Sequence, residues 1–417
     1  MPQNLKIPYG KSYQSLIIPD SVEVVEVGKG SGGGDESIDI HRKLAESDLV
    51  SFVKNASDLL IIINDHTRFT PSGTILSFIK QHVGDNTDLE ILIATGTHRA
   101  PTDSELRTLL GNCYQYYKAV TKAHDCLDDD SHFYAGKTAS GIDMHLNKAI
   151  DRHDNILVVG SVEPHFFAGF TGGRKGIFPG VASKKSIVAN HVKAIDRDAQ
   201  PLQLHNPIHY DMDAIIDLLQ DKNIFSVQTV HRKDRSIAGV YAGDIRGSFK
   251  QAAWLAKNVY VYEERRQFDI VIAVVRPPLD IDLYQIQKGF ENTKFGVKPG
   301  GVSILVSECR DGVGPDDWLK LSANYDSAQD VLNNSQDASN FGFHKLYRPA
   351  RFMRQSRIFV VSEVAPFLVE SVFLTPKSDL QKAFDDAVKL IESCNSALIV
   401  YDAGQNVISI NTKKDLQ

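Results

Sequence analysis

Short apolar runs rich in β-branched residues recur along the chain, and each ends in small or polar residues. In chain order they occupy 59–63, 89–94, 155–160, 268–275, 301–307, 356–362 and 396–402. Segments with helical spacing of apolar residues lie between many of them, for example at 77–83, 104–111 and 211–221. Continuous apolar strands that alternate with amphipathic helices are typical of parallel sheets covered on both faces. The pattern therefore predicts an α/β protein with mostly parallel sheets.

The chain is long enough for two domains, because a single hydrophobic core rarely serves 417 residues. A helical pattern followed by a charged crossing at 251–269 precedes a new strand, which predicts a domain junction near residue 265. We therefore expect one domain at 1–265 and another at 266–395. The segment 396–417 contains a further strand and could return to the N-terminal domain.

A glycine-rich run, GKGSGGG at 28–34, follows the strand-like residues VEVVEV. It resembles a dinucleotide-binding fingerprint, but it lacks the spacing that leads such a fingerprint into a helix. We therefore interpret it as a mobile loop.

The composition, with 42% apolar and 24% charged residues, is that of a soluble globular protein. A net charge of −6 gives no general field that would attract nucleic acid or an anionic membrane, so an anionic substrate needs local positive charge. The N-terminus lacks the basic start and apolar run of a signal peptide, and no run of about 18 apolar residues could span a bilayer. These features argue against proteins that bind nucleic acid or membranes.

The four cysteines, Cys113, Cys126, Cys309 and Cys394, lie far apart and form no CxxC pair. This spacing indicates neither a zinc site nor a disulfide framework. Reduced thiols that act as small buried hydrophobic side chains fit best, and they favour a cytoplasmic location.

Polar and ionisable residues directly follow the first three of these predicted strands. They occupy 64–71, 95–99 and 161–165. Ligands in open α/β sheets bind beyond the carboxyl ends of the strands, so these segments should reach one rim of a sheet. A buried structural histidine could explain His98 or His165 alone, but it explains all three segments poorly.

The stretch 163–191 is the most informative part of the chain. Its glycines are too dense for a helix or a strand, and they lie at 169, 172, 173, 176 and 180. They favour a loop whose backbone approaches a ligand closely and offers N–H groups to an anion. Arg174 and Lys175 lie inside this loop, which is consistent with a phosphate site, although the pattern is not a Walker A motif.

A helix is predicted to begin after Ser183, because serine is a good N-cap and apolar residues recur beyond it at helical spacing. His191 lies on the same apolar stripe. It could be a packed core histidine. Given the loop that precedes it, it could also be a metal ligand, since neutral imidazole is the commonest ligand of this kind.

In the second domain, Tyr284, Gln285 and Lys288 lie close together upstream of a glycine-containing segment at 298–314. Lys288 could be an ordinary solvated surface charge. The same three residue types, however, are those that a clamp for a substrate carboxylate would need.

Two further histidine patterns favour structural roles. His124, followed by an aspartate and a cysteine, is interpreted as part of a structural turn. His205 and His209 have the spacing of a metal pair on one helical face, but Asn206 and Pro207 between them argue against a helix, so we predict a loop.

Several of these segments together resemble the lactate racemase family, whose catalytic proteins carry the nickel-pincer nucleotide. The matching pieces are D-x-T-R at 65–68, G-T-H at 96–98, the long block at 163–191, Y-Q-x-x-K at 284–288 and K-P-G-G at 298–301. They follow the family's order through most of the chain. The block at 163–191 is long and specific, whereas D-x-T-R or G-T-H alone would be weak.

The resemblance implies two α/β domains with the active site in the cleft between them. Residues 1–265 would then be the cofactor-binding catalytic domain, and residues 266–395 would be the substrate-clamping domain. The implied cofactor is a modified pyridine mononucleotide that holds nickel through sulfur and carbon. Cofactor assembly in this family depends on separate maturation proteins, so recombinant protein can lack the cofactor.

The resemblance also implies roles for individual residues. Lys175 would form the covalent thioamide tether to the nickel-pincer nucleotide, and His191 would be the protein ligand to nickel. His98 and His165 would act as acid and base. The other cofactor-binding residues would be Asp65, Thr67, Arg68, Gly172, Gly173 and Ser183. The substrate-binding residues would be Arg68, Tyr284, Gln285 and Lys288.

Racemisation of an α-hydroxy acid accounts for these residue types. The α C–H bond is very weakly acidic, so removing hydride is easier than removing a proton, provided that the hydroxyl proton leaves at the same time. A histidine can take that proton, because its pKa lies near neutral pH, and the cofactor can accept the hydride. Two enantiomers place their hydroxyl groups on different sides, which calls for two such histidines. A buried arginine or lysine would hold the carboxylate while the carbon inverts.

Departures from the family indicate a changed substrate pocket. The tryptophan that the family places over the cofactor has no clear counterpart in this chain. The segment 344–355 contains Tyr347, Arg348 and Arg351 instead. Arg99 follows the first histidine candidate, and Phe69 occupies a position where proline is expected. The extra cationic groups suggest a substrate larger or more anionic than lactate, such as a hydroxy diacid or a sugar acid.

Two other classes of function stay open at this point. An oxidoreductase or lyase on the same scaffold, with a free nicotinamide or a metal, would need no tether at Lys175. A non-catalytic protein that binds small carboxylates or nucleotides would need no pair of bases, and such a pair is what His98 and His165 supply.

Overall fold

The computed structural model of the protein describes residues 2–29, 38–232 and 234–411. The strands are, in chain order, β1 (Gln3–Tyr9), β2 (Ser12–Ile18), β3 (Glu23–Val27), β4 (Asp58–Asn64), β5 (Asp88–Ala94), β6 (Thr121–Ala123), β7 (His132–Lys137), β8 (Asp143–Asn147), β9 (Asn155–Ser161), β10 (Pro164–His165), β11 (Gly169–Phe170), β12 (Asn223–His231), β13 (Ile237–Asp244), β14 (Val261–Glu264), β15 (Phe268–Val274), β16 (Val297–Val306), β17 (Arg357–Val361), β18 (Thr375–Lys377), β19 (Ser396–Val400) and β20 (Val407–Ile410). The α-helices are α1 (Ile40–Ala45), α2 (Leu49–Asn55), α3 (Ser72–Lys80), α4 (Asp103–Leu110), α5 (Tyr114–Tyr117), α6 (Lys148–Arg152), α7 (Lys184–His191), α8 (Pro207–Leu218), α9 (Ile245–Tyr260), α10 (Leu283–Thr293), α11 (Asp316–Ser322), α12 (Ala328–Asn333), α13 (Phe343–Met353), α14 (Pro366–Glu370) and α15 (Leu380–Leu390). Each apolar run predicted to be a strand forms one, which confirms the α/β class.

The described residues form two compact units. Residues 38–259 make up the first, here called the central unit, and residues 2–29 with 260–411 make up the second, here called the split unit. This division differs from the predicted domains at both ends of the chain. The reason is that β3 pairs in parallel with β19, so the N-terminal residues belong with the C-terminal part, and the last segment stays there as well.

The central unit is built on a six-stranded sheet with the order β13-β12-β9-β4-β5-β6. Its neighbouring strands are parallel except for β12 and β13, which are antiparallel. Hydrophobic cores cover both faces, because successive side chains of a strand point to opposite sides. Ile62 and Val158 belong to one core, and Ile61 and Val159 belong to the other. This two-sided burial explains why the strands are continuously apolar.

The split unit has a second six-stranded sheet, ordered β18-β17-β16-β15-β19-β3, in which every pairing is parallel. The hairpin of β1 and β2 shares a hydrophobic core with one face of this sheet and with α15. That core includes Ile7, Leu16, Ile272 and Phe384. The N-terminal hairpin is therefore held in the split unit by apolar burial as well as by the pairing of β3.

Three smaller sequence predictions can be placed on the structure. Cys113, Cys126 and Cys309 are buried free thiols, and Cys394 is a partly buried one. The predicted loop at 28–34 lies outside the described residues from position 30 onward. Within the described ranges, none of the helices has the length and apolar character that crossing a membrane would require.

A buried ion pair joins α10 to α13 in the split unit. Arg348 donates to both carboxylate oxygens of Glu291, at 2.8 and 2.5 Å, and Lys294 donates to the same carboxylate at 2.7 Å. The Arg348 and Glu291 side chains are only 1% and 3% exposed. Burial alone would raise the pKa of Glu291, but the charges of Arg348 and Lys294 outweigh it and hold that pKa well below its usual range. The carboxylate therefore stays ionised inside the unit.

We expect Arg348→Met to lower the free energy of unfolding by about 3–5 kcal/mol, because it leaves a buried carboxylate with only part of its compensation. Chemical denaturation followed by circular dichroism measures the change. Arg354→Met, at the exposed end of the same helix, is the matched control and should stay within about 0.5 kcal/mol of the wild type. The double variant Glu291→Gln/Arg348→Met should recover part of the loss. Wild-type stability of Arg348→Met would show that the pair does not hold the two helices.

Candidate active site

Three loops of the central unit meet at the carboxyl edge of its sheet. They follow β4, β5 and β9, and β4 lies between the other two strands. The parallel pairings bring the strand ends level, since Asn64 pairs with Ala94 and Ile63 pairs with Val159. The common rim predicted for the segments after these strands is therefore confirmed.

Asp65 holds His98 on this rim. The Nδ1 atom of His98 lies 2.7 Å from Oδ2 of Asp65, and Thr67 donates to the other carboxylate oxygen through its hydroxyl, at 2.7 Å, and its backbone N–H, at 3.2 Å. Burial would raise the pKa of Asp65, but the hydrogen bonds from His98 and Thr67 and the charge of Arg68 together lower it. An ionised Asp65 can only accept hydrogen bonds, so Nδ1 of His98 carries a proton and Nε2 is the basic nitrogen of the neutral ring. The His98 side chain is 53% exposed, which leaves it accessible to a small molecule.

Arg68, on the loop after β4, forms an ion pair with Glu163, on the loop after β9. His231 ends β12, the next strand of the sheet. Burial lowers the pKa of His231, and the nearby charge of Glu163 partly offsets this effect. Sequence reasoning did not select Glu163 or His231 as site residues. Both residues could have been selected from the sequence, because each lies at or just after the end of a strand.

His165 lies in the two-residue strand β10, which pairs with β11. Its ring stacks on Phe166, with 5.1 Å between the ring centres, and meets the edge of Phe167 at 4.5 Å. The N–H of Ala168 donates to Nδ1 of His165 at 3.3 Å, so the neutral ring carries its proton on Nε2. His98 and His165 are therefore held as opposite tautomers, one with a basic Nε2 and the other with an Nε2–H donor.

The glycine-rich loop packs too closely for side chains at its glycine positions, as Gly172 and Gly180 illustrate. Gly172 has a φ of 81°, and a Cβ atom there would lie 2.5 Å from Cγ2 of Val162. At Gly180 a Cβ atom would lie 2.2 Å from the carbonyl oxygen of Gly176. Neighbouring protein atoms lie so close to the backbone at Gly172 and Gly180 that only glycine fits at both positions.

Two N–H groups of this loop bind acceptors within the protein. Gly173 donates to Oε1 of Gln228 at 2.8 Å, and Gly180 donates to the carbonyl oxygen of Lys175 at 3.1 Å. The expectation that the loop's amides face an anion is wrong at these two positions, because the packing of the loop already uses them.

Arg174 is buried among helices α8 and α9. Its guanidinium lies 2.7 Å from Nδ1 of His209, 3.3 Å from a carboxylate oxygen of Asp213 and 3.9 Å from the centre of the Phe249 ring. Burial and the charge of Arg174 lower the pKa of His209 to about 3, so this histidine is a neutral acceptor. Arg174 thus anchors the loop to two helices.

The prediction of a loop from His205 to His209 is wrong in its second half. Pro207 occupies the first turn of α8, where its missing N–H costs nothing, and Asn206 caps the helix by accepting from the His209 N–H at 2.8 Å. His209 is therefore helical. An asparagine followed by proline begins this helix instead of preventing it.

His124 has the structural role that was predicted. Its Nε2 atom lies 2.9 Å from the carbonyl oxygen of Ala182, and its Nδ1 atom lies 3.2 Å from Nδ2 of Asn147. Burial lowers the pKa of His124 to about 4, so the ring is a neutral part of the core.

Lys175 and His191 are close enough to interact electrostatically in the central unit. Lys175 lies in the 3₁₀ turn Gly173–Gly176, and His191 is the last residue of α7, which Ser183 caps through its hydroxyl as predicted. Burial and the charge of Lys175 lower the pKa of His191 to about 4, against a smaller opposite effect of the Ile187 carbonyl. The Nδ1 atom of His191 is buried and makes no well-formed hydrogen bond with any described residue. A neutral imidazole with such a nitrogen is suited to bind a metal ion.

The described part of the chain contains no group of three or more His, Cys, Asp or Glu side chains that could hold a metal ion. A metal bound at His191 would therefore need most of its ligands from another molecule. A cofactor that brings its own ligands and is held nearby by Lys175 fits this arrangement.

Tyr284, Gln285 and Lys288 lie together in the first half of α10 in the split unit. Trp318 meets the Tyr284 ring edge-on, with 5.2 Å between the ring centres, and Phe341 lies nearly parallel to it at 6.1 Å. Burial raises the pKa of the Tyr284 phenol, so the hydroxyl stays protonated and can donate. The three predicted clamp residues are thus brought to one segment of a single helix.

Two of the cationic residues that suggested a changed substrate pocket are neutralised within the protein. Arg99 forms a bidentate ion pair with Glu105, at 2.7 and 2.8 Å. Arg348 belongs to the buried ion pair described above. Tyr347 and Arg351 lie side by side on α13, with the guanidinium 5.9 Å from the centre of the ring. These two ion pairs therefore weaken the prediction of a larger or more anionic substrate.

Comparisons with known proteins agree with these features. A family model described as the lactate racemase N-terminal domain matches residues 9–202, and one described as the lactate racemase C-terminal domain matches residues 263–409. The lactate racemase of Thermoanaerobacterium thermosaccharolyticum is 27% identical over an alignment of 427 residues, which covers 97% of this chain and 99% of that protein. The lactate racemase of Lactiplantibacillus plantarum is 31% identical over 318 residues, which cover 71% of this chain and 74% of that protein.

Solved structures show the same relationship. The structure of the lactate racemase apoprotein from Thermoanaerobacterium thermosaccharolyticum superimposes with a TM-score of 0.87 at 27% identity and covers 98% of this chain and 100% of that chain. A Thermotoga maritima protein superimposes with a TM-score of 0.67 at 17% identity, over 89% of this chain and 98% of that chain. At that identity the second likeness shows the fold alone.

Proposed function

Because the chain belongs to the lactate racemase family, whose named members are isomerases of a hydroxy acid, we propose that it is a racemase or epimerase of α-hydroxy acids. The observation that carries the proposal is the pair of differently held histidines. Asp65 fixes His98 with a basic Nε2, and the weaker contact with the Ala168 amide favours a proton on Nε2 of His165. A simple carboxylate-binding site needs neither arrangement.

The proposed cofactor is a nickel-pincer nucleotide tethered to Lys175, with His191 as the protein ligand to nickel. When bound, this group supplies an electron-poor acceptor for the hydride of the substrate's α-carbon. The buried Nδ1 of His191 and the nearby Lys175 support the fit, because they offer one metal ligand and one amine to the same region. Asp65, Thr67, Arg68, Gly172, Gly173 and Ser183 are proposed to lie near the nucleotide.

The histidines move the substrate's hydroxyl proton. Nε2 of His98 takes that proton while Asp65 stabilises the imidazolium that forms. In its resting tautomer, His165 donates a hydrogen bond from Nε2–H to a substrate oxygen, and it can release that proton only as an imidazolium that also carries a proton on Nδ1. To act as base for the opposite enantiomer, His165 must carry its proton on Nδ1 instead. The Ala168 contact that opposes this change is weak, at 3.3 Å.

The substrate carboxylate is proposed to bind Arg68, Tyr284, Gln285 and Lys288. Arg68 already binds Glu163, but a guanidinium has five N–H donors and can hold a second carboxylate. Separate maturation proteins would be the partners that load the cofactor.

Chiral chromatography of lactate, malate and gluconate treated with the holoprotein tests the proposed activity. The protein is co-produced with the cofactor-assembly proteins, and each acid is supplied as one isomer deuterated at the α-carbon. We expect at least one acid to be converted to the opposite configuration at that carbon. The product should retain deuterium, because hydride transfer returns the same atom, whereas proton removal exchanges it with water. Absence of turnover by protein that carries cofactor and nickel would contradict the proposal for these acids.

A further inference from the structure

A buried lysine, Lys345, lies against the proposed carboxylate clamp of the split unit. It lies in the first turn of α13 and is only 3% exposed. Its Nζ atom donates to the backbone carbonyl oxygen of Tyr284 at 3.0 Å, and it also lies 4.8 Å from the centre of the Tyr284 ring. One ammonium group therefore contacts both the backbone and the aromatic face of a proposed substrate ligand.

Close packing at the start of α13 fixes the position of Lys345. Gly342 has a φ of 81°, and a Cβ atom there would lie 2.8 Å from the Trp318 ring. The Lys345 N–H donates to the carbonyl oxygen of Gly342 at 2.9 Å. Since Trp318 also packs edge-on against Tyr284, the glycine turn, the indole and the lysine form one packed support around the tyrosine.

Several charged groups act on the amine of Lys345. Besides burial, the charge of Lys288 is the strongest influence that lowers the pKa of Lys345, to about 7. Asp282 and Glu291 oppose the lowering, and Arg348 adds to it. Lys345 is thus a buried amine surrounded by charges of both signs.

We propose that Lys345 is a positioning residue, which holds the proposed substrate ligand Tyr284 in place. It does not touch the substrate, because its ammonium is buried and bonded to Tyr284. The role rests on the proposed function, since it takes Tyr284 as a substrate ligand. Sequence reasoning missed Lys345 because nothing in the local pattern distinguishes it from a surface lysine.

Steady-state kinetics of the holoenzyme separate positioning from general support. For the best acid among lactate, malate and gluconate, Lys345→Met is expected to raise KM about 10-fold with kcat within about twofold, because the clamp is disordered while the acid–base pair is intact. Lys345→Arg should recover most of the change, since it retains the charge. Lys320→Met, an exposed lysine of the same unit, is the control and should match the wild type. An unchanged KM in Lys345→Met, or no recovery with arginine, would overturn the proposal.

Fluorescence of Trp318 gives a readout that needs no cofactor. Trp254→Phe leaves Trp318 as the chain's one tryptophan. In this background, Lys345→Met should shift the emission of Trp318 while thermal unfolding stays near the wild-type temperature, because the Tyr284 ring beside it moves. An unchanged spectrum in the folded variant would also overturn the proposal. If the wild type turns over none of the three acids, the proposed function fails for them, and the spectrum still decides whether Lys345 positions Tyr284.

Discussion

A Lys175→Ala variant, co-produced with the cofactor-assembly proteins, is expected to purify without the covalent adduct and without bound nickel, whereas the wild type carries both. The ε-amine of Lys175 is the proposed attachment point, and alanine offers no nucleophile in its place. Turnover should fall below detection, because the proposed cofactor would carry the hydride step and no described side chain can replace it. Intact-mass spectrometry and metal analysis of the same preparations measure adduct and nickel separately.

Two further variants test whether the loss of adduct and nickel is specific to Lys175. Lys185→Ala changes an exposed lysine of α7 and should keep the full adduct and nickel. His191→Ala should keep the adduct but lose nickel, because it removes the proposed metal ligand and leaves the proposed tether. Adduct on Lys175→Ala would place the attachment elsewhere. A wild type that stays unmodified and nickel-free despite working maturation would favour a free-cofactor oxidoreductase or lyase, or a non-catalytic binding protein.

Replacing either histidine by glutamine, in His98→Gln or His165→Gln, is expected to lower kcat/KM for racemisation by roughly 10²–10⁴-fold in both directions. Glutamine can hydrogen-bond a substrate oxygen, but it cannot accept a proton at neutral pH. Both variants should retain adduct and nickel, since neither ring is a proposed ligand. Chiral assays started from each enantiomer measure the two directions.

The matched control is His205→Gln, which changes an exposed histidine of the central unit outside the rim. It should leave both directions at wild-type rates. If one of the two rim variants kept full activity from both enantiomers, that histidine would not be one of the two bases. The remaining histidine, or His231 at the end of β12, would then have to serve both faces.

The rim of the central unit could be predicted because its signals are local. A strand is marked by its own apolar run, and the residues beyond its end follow in sequence, so Asp65, His98 and His165 could be assigned to one edge. Periodicity likewise placed Ser183 at the cap of α7. These features depend on neighbours in the chain, which the sequence shows directly.

The features that sequence reasoning missed depend on partners far away in the chain. Arg68 meets Glu163 across 95 positions, and Arg348 meets Glu291 across 57. Without Glu291 in view, Arg348 counted as a cation available to a substrate. The sequence also does not show whether a single charged side chain is buried. The buried position of Lys345 was therefore not predicted.

The parallel pairing of β3 with β19 sets an order of events during synthesis on the ribosome. All six strands of the central sheet lie within one continuous stretch, so that unit can be completed while later residues are still being translated. The split sheet cannot, because Val24 of β3 finds its partner only when Ala397 has emerged. The first strand of the split sheet to leave the ribosome is therefore among the last to be paired, and loss of β19 would leave the backbone donors and acceptors of β3 without their partner.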